Sequence, residues 1–191
     1  MDGGRDPPIT PERKITLKSI CLDIDGVITD IAGGIDSALS KQGIYNLDYT
    51  HWLVEKYEDD LTIEIFNDKL FWINLKPFED AWYQINNWWS SGIDVHLVTA
   101  RYSKAGKDSL NKWLDNWKLA YTSLHFAEMG NKLEVIKSLD CSFMVEDNFN
   151  EIAKLTSNGI KCYMRKNWYN KSYWNKYTSI DTLFDLKEID D

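Results

Sequence analysis

The sequence predicts a doubly wound α/β domain, a Rossmann-like core with a mostly parallel sheet covered by helices on both faces and a small, mainly helical cap insertion. Three observations predict it. Apolar, β-rich segments alternate with longer helical segments, the apolar segments end in polar clusters, and a single stretch, 31–74, breaks the alternation. Strands separated by helices require right-handed crossovers, which place neighbouring strands parallel and put helices on both faces.

The first strand is read in ITLKSICLD, residues 15–23, which runs into the turn-prone cluster DIDGVITD. Helical periodicity returns at Phe78 to Trp89, with Gly92 as its stop, and the apolar run IDVHLVTAR follows. A helix over Lys104 to Trp117, a short strand at Ser123 to Phe126 and a helix opening at Gly130, Asn131 and Lys132 continue the rhythm. SFMVEDN is the next strand, then a helix over Phe149 to Ser157, a stop at Gly159 and the strand IKCYM.

Domain boundaries follow from the same pass. Residues 1–14 carry glycines, prolines and charges without periodicity and read as a flexible tail; 15–30 and 75–191 form the core. Within 31–74, the helical run Thr50 to Glu58 and the aromatic residues Trp52, Phe66, Phe71 and Trp72 are not bracketed by strong strands, so this stretch reads as a cap over the strand ends.

Composition narrows the function classes. Hydrophobic residues at 43% and charged residues at 27% are those of a folded globular chain. No run approaches the ~18 apolar residues of a membrane span, and the N-terminus lacks the apolar core of a signal peptide, so a cytoplasmic location is expected. A net charge of −8 argues against long nucleic acid as a partner, because that binding needs many cations on phosphates. A small anion in a locally positive pocket stays open, as does a homodimer. Cys21, Cys141 and Cys162 make no CxxC or CxxH spacing, and their odd number predicts reduced, buried thiols. Most of the nine tryptophans are expected in the core or lying along the surface.

The chemistry lies at the strand ends. In Asp23-Ile24-Asp25-Gly26 two carboxylates stand two residues apart before a glycine that permits a tight turn, so one can face a phosphorus atom while the other reaches a leaving oxygen. A bare DxDG can equally be a surface turn; a calcium loop would need further oxygen ligands and a closing glutamate that Asp23 to Gly34 lack. Taken alone, Thr99 can be just a helix cap and Lys132 reads as a solvated helix residue. Glu146 and Asp147 follow a buried run, where adjacent acids repel unless a cation is near.

Taken in order, DIDGVITD, LVTAR, Lys132 and MVEDN resemble the four motifs of haloacid dehalogenase-like phosphatases over nearly all of residues 15–165. More narrowly, DGVITD, FWINLKPFEDAW, VEDN and RKNWYN resemble the 5'(3')-deoxyribonucleotidase family, the cytosolic type C nucleotidases. The resemblance implies a Mg²⁺-dependent phosphomonoester hydrolase in which Asp23 attacks phosphorus to form an aspartyl phosphate and Asp25 serves as acid and then as base. It implies a metal held by Asp23, the main-chain carbonyl of Asp25 and Asp147, with Glu146 acting through water or from behind. It also implies Thr99, Ala100, Arg101 and Lys132 on the phosphoryl group, and Phe71 and Trp72 beside a nucleobase. Two departures stand out: Glu146 occupies a position where aspartate is commoner, and the insertion is short. A phosphatase of another small ester, such as a sugar phosphate or a nucleic-acid 3'-phosphate end, and a catalytically silent nucleotide-binding scaffold are the alternatives.

Overall fold

The computed structural model describes residues 19–45 and 60–186. The expected tail, the beginning of the first strand and the helical run containing Trp52 lie outside the described residues.

Six parallel strands form one sheet, in the order β3-β2-β1-β4-β5-β6. They are β1 (Ser19–Leu22), β2 (Asp94–Thr99), β3 (Ser123–Phe126), β4 (Met144–Glu146), β5 (Cys162–Arg165) and β6 (Ser179–Ile180). β1 sits at the centre, with Leu22 opposite Leu97 of β2 on one side and Val145 of β4 on the other. Its residues are buried throughout, and the period-2 alternation splits them between two apolar layers. Ile20, Leu22, Leu97, Val145 and Tyr163 point into one layer with Trp88 and Trp113; Cys21, Val98, Met144 and Met164 point into the other with Ile136 and Ile152.

The crossover helices are α4 (Glu79–Ser90), α5 (Lys104–Trp117), α6 (Leu133–Leu139) and α7 (Phe149–Ser157). Their ends follow local chemistry. The Ser103 hydroxyl accepts from the Gly106 N–H and opens α5; the Asn148 side chain accepts from the Asn150 N–H and opens α7. Gly92 and Gly159, with φ of 82° and 81°, supply the left-handed residue after α4 and α7.

The described part of 31–74 is helical: α1 (Ile31–Ser40), α2 (Asp60–Asn67) and α3 (Lys69–Asn74). These helices share the core's apolar layer through Ile35, Leu39, Phe66 and Trp72. α3 crosses α5 at Gly106, where a β-carbon would stand 3.0 Å from the Trp72 ring. The Trp113 indole N–H donates to the Leu75 carbonyl at 2.8 Å, which ties the end of this segment to α5.

The cysteine expectation is corrected. Cys21 and Cys141 are joined in a disulfide across 120 residues of sequence, and only Cys162 is a free, buried thiol. β1 runs beside the approach to β4, where the Cys21 N–H donates to the Phe143 carbonyl, and this brings the two Cα atoms to 6.0 Å. Sequence spacing carries no trace of such a long-range meeting. Among the described residues, no helix is long and apolar enough to cross a membrane.

Candidate active site

Parallel strands deliver their C-terminal ends to one edge of the sheet, and open α/β sheets gather ligands there. Asp23 leaves the central strand β1, its N–H donating to the Val145 carbonyl of β4 at 3.0 Å. The chain then turns sharply: the N–H groups of Ile28 and Thr29 both donate to the Ile24 carbonyl at 2.8 Å. Gly26 has φ +85°, and a β-carbon there would overlap the Asp147 carboxylate and the Tyr169 hydroxyl. Glycine is therefore required by backbone conformation and by space.

Lys132, buried at the mouth of α6, spans two acids. Its Nζ lies 2.7 Å from Asp23 Oδ1 and 2.7 Å from Glu146 Oε2. The other oxygen of Glu146 accepts from the N–H groups of Asp147 and Asn148, both at 3.1 Å. Glu146 thus has both oxygens engaged and serves to hold Lys132 toward Asp23.

One oxygen from each of Asp23, Glu146 and Asp147 lies within 4.8 Å of the others, in a buried site. Three acids face one ammonium group. Burial, followed by the charge of Glu146, outweighs Lys132 and raises the Asp23 carboxyl from 3.8 to about 8. The same causes, burial first and then Glu146 and Asp23, push Asp147 well above the ordinary carboxylate range. Burial works to lower Lys132, but the charges of Asp23 and Glu146 prevail and raise it. This surplus of buried negative charge, built of oxygen donors, fits a hard divalent cation.

Asp25 faces the other way. Its Oδ1 accepts from the Thr29 hydroxyl at 3.0 Å and from Arg101 Nη2 at 2.8 Å, while Oδ2 accepts from Arg101 Nε at 2.8 Å. Arg101 lies two residues past the end of β2, where its N–H also donates to the Thr99 hydroxyl at 3.2 Å. Its guanidinium carbon stands 4.6 Å from the centre of the Trp72 ring.

A cavity opens over these groups. Asp23, Asp25, Thr99, Ala100, Arg101, Lys132, Glu146 and Asp147 all border it, together with Trp72. Phe71 does not. It stacks edge-on against Trp72 and packs into the core beside Gly34, while Phe66 and Tyr102 occupy the aromatic part of the lining instead. A sequence reading that pairs Phe71 with Trp72 overlooks the helix: adjacent residues on α3 point about 100° apart.

Three site residues have no assigned role in the sequence reading. The Tyr169 hydroxyl donates to Asp147 Oδ2 at 2.5 Å, the Asn170 side chain donates to the Asp147 carbonyl at 2.9 Å, and the Asn167 side chain donates to the Gly26 carbonyl at 2.9 Å. All three come from RKNWYN, whose 3₁₀ segment Trp168–Tyr173 folds back under the acid cluster. The motif is visible in the sequence, but its irregular backbone gives no periodicity from which to aim the side chains.

No family model matches the chain. A curated relative from Clostridium acetobutylicum, named a nucleotidase, is 25% identical over 195 residues, covering 89% of this chain and 97% of the relative. A solved structure of a phosphonoacetaldehyde hydrolase-like protein from Oleispira antarctica has a TM-score of 0.59 at 12% identity, over 91% of each chain. A solved structure of a predicted phosphatase from Clostridium acetobutylicum has a TM-score of 0.57 at 16% identity, over 90% of this chain and 96% of the other. At these identities the structural likeness is one of fold.

Proposed function

We propose that this chain, which has the haloacid dehalogenase-like phosphatase fold, hydrolyses nucleoside monophosphates to nucleoside and phosphate. The observation that carries the reading is Lys132 bridging Asp23 and Glu146 at the floor of a cavity, with a second carboxylate, Asp25, two residues from the first.

In this reading Asp23 is the nucleophile. A carboxylate oxygen attacks phosphorus, the bond from phosphorus to the ester oxygen breaks, and Asp25 gives that oxygen its proton. Water then attacks the aspartyl phosphate, losing a proton to Asp25, and phosphate departs. Lys132 lies where charge accumulates on the phosphoryl oxygens, and the Thr99 hydroxyl and the Ala100 main chain border the same space. Asp23 and Asp147 would hold a magnesium ion together with the Asp25 carbonyl, Glu146 standing behind Lys132. Such an ion, when bound, draws charge from the phosphoryl oxygens. Tyr169 keeps Asp147 turned toward the cluster.

Two observations support a nucleoside as the leaving group. The curated relative bears the name nucleotidase, and Phe66, Trp72 and Tyr102 give the cavity aromatic walls. The segment 31–74 acts in this reading as a cap, since Trp72 and Phe66 come from it.

The test is phosphate release from a panel of nucleoside 5'-monophosphates, nucleoside 3'-monophosphates and sugar phosphates, with magnesium and with excess chelator. Magnesium-dependent release that favours nucleotides is expected. Release from sugar phosphates alone would overturn the substrate class, and no release from any ester would overturn the enzymatic reading.

A further inference from the structure

We propose that Arg101 is the positioning residue for Asp25, and that it fixes which oxygen of that carboxylate exchanges the proton. The inference rests on the reading of Asp25 as acid and base. Its ground is the two-point grip of Arg101 on Asp25. The Arg101 side chain is wholly buried, Nε and Nη2 grip the two oxygens of Asp25 at 2.8 Å each, and the guanidinium carbon lies over the Trp72 ring. A two-point fork removes rotation about the carboxylate bond, which a single-point cation cannot do.

The hydrogen-bond count then selects an atom. Each carboxylate oxygen has two lone-pair sites. Oδ1 takes two donors, the Thr29 hydroxyl and Arg101 Nη2, so it is filled. Oδ2 takes Arg101 Nε, and its second site is the position open to a proton. In the first half-reaction that proton leaves Oδ2 for the ester oxygen as the bond from phosphorus to that oxygen breaks; in the second, water returns one to Oδ2 as its oxygen bonds to phosphorus. Arg101 keeps its own protons throughout. Because Trp72 belongs to 31–74 and Arg101 to the end of β2, the same contact makes the seating of the insertion part of the aim of Asp25.

This assignment differs from one in which Arg101 binds the phosphoryl group, and leaving-group dependence separates them. A dinitrophenolate leaves without a proton, whereas an alkoxide needs one. The measurement is kcat/KM, which reports the first half-reaction, for 2,4-dinitrophenyl phosphate and for the best alkyl ester of the substrate panel. Wild type, Arg101→Gln, Arg101→Lys and Asp25→Asn are compared, with thermal unfolding as the check on folding. Misplacing a catalytic group by about 1 Å costs on the order of 10²-fold, and Arg101→Gln is expected to lose about that much on the alkyl ester, with little change on the dinitrophenyl ester. Arg101→Lys keeps the charge over Trp72 and loses the fork, so it shows the same split and keeps the test open should the glutamine variant fail to fold. Equal losses on both esters, or no loss on either, would overturn the positioning role. If Asp25→Asn shows no leaving-group dependence, the acid reading itself fails, a result distinct from failure of the Arg101 variants alone.

Discussion

Two arginine-aspartate forks brace this molecule, and they are alike in almost every local respect. Arg101 grips Asp25 with contacts of 2.8 Å and lies over Trp72; Arg165 grips Asp80 at 2.7 and 2.8 Å and lies 4.1 Å from the centre of the Phe78 ring. Both arginines sit at or just beyond a strand's C-terminal end and both are buried. They differ in what lies around the carboxylate. Asp80, in the first turn of α4, accepts a further backbone donor, the Leu183 N–H at 2.8 Å, so its fork clamps a helix to the last strands of the sheet. Asp25 borders the cavity, and Nη1 of its arginine is buried without a hydrogen-bond partner. One device is therefore closed on all sides by its own chain in one place and faces a cavity in the other, where the proposed function makes it part of the reaction centre.

That contrast can be broken from either end. The largest effect is expected at the site: Asp23→Asn should abolish phosphate release while leaving the chain folded, since the amide keeps the shape and loses the nucleophile. Comparable turnover in the variant would remove the site from the comparison altogether. At the other pole, Asp80→Ala leaves Arg165 buried without its carboxylate, and breaking a buried pair in this way costs about 3 to 5 kcal/mol. Urea unfolding should register that loss, with kcat/KM per folded molecule unchanged. A fall in kcat/KM would show that the scaffold fork reaches into the chemistry.

A last test sharpens the contrast through pH. Burial works to raise Asp80, but the hydrogen bonds from Arg165 and Leu183 prevail and hold it below the usual carboxylate range. A depressed carboxyl adds stability above its unfolded value and loses it as the solution is acidified through the folded one. Asp23 has the opposite sign. With its carboxyl raised from 3.8 to about 8, the folded state holds a proton that the unfolded chain releases, and stability declines as pH climbs from about 4 to about 8. In metal-free protein, melting temperature against pH should therefore fall off on both sides. Asp80→Asn should flatten the acid side, Asp23→Asn should make the alkaline side shallower, and added magnesium should flatten it. A magnesium-insensitive alkaline limb would mean that the acid cluster does not carry it.

Much of this was legible in the sequence where the signal is local. Lys104 to Trp117 and Phe149 to Ser157 emerge as helices over the expected residues, because Ser103, Asn148 and Gly159 mark their ends by side-chain capping and positive φ. The polar strand ends converge because a parallel sheet leaves them no other place. What stayed hidden depends on pairings distant in sequence. The grip of Arg101 on Asp25, 76 residues away, leaves no local pattern in the sequence. Tyr169 reads as one aromatic among many until the 3₁₀ turn carries it to Asp147. β6, two residues long, is too short for any pattern.

The sheet order β3-β2-β1-β4-β5-β6 bears on how the chain emerges from the ribosome. β1, β2 and β3 are made first and can pair among themselves, leaving β1 as an apolar edge until Met144 and its successors arrive. Open strand edges invite pairing with other chains, and domains form from the N-terminal side during synthesis. Asp23, Asp25, Thr99 and Arg101 belong to this early half-sheet; Lys132, Glu146, Asp147 and Tyr169 belong to what is added later. The mutually repelling carboxylates thus meet only when the halves zip together along β1. A nascent chain halted ahead of residue 144 would expose an adhesive strand but no crowded acids, so its hazard at that stage is aggregation rather than internal repulsion.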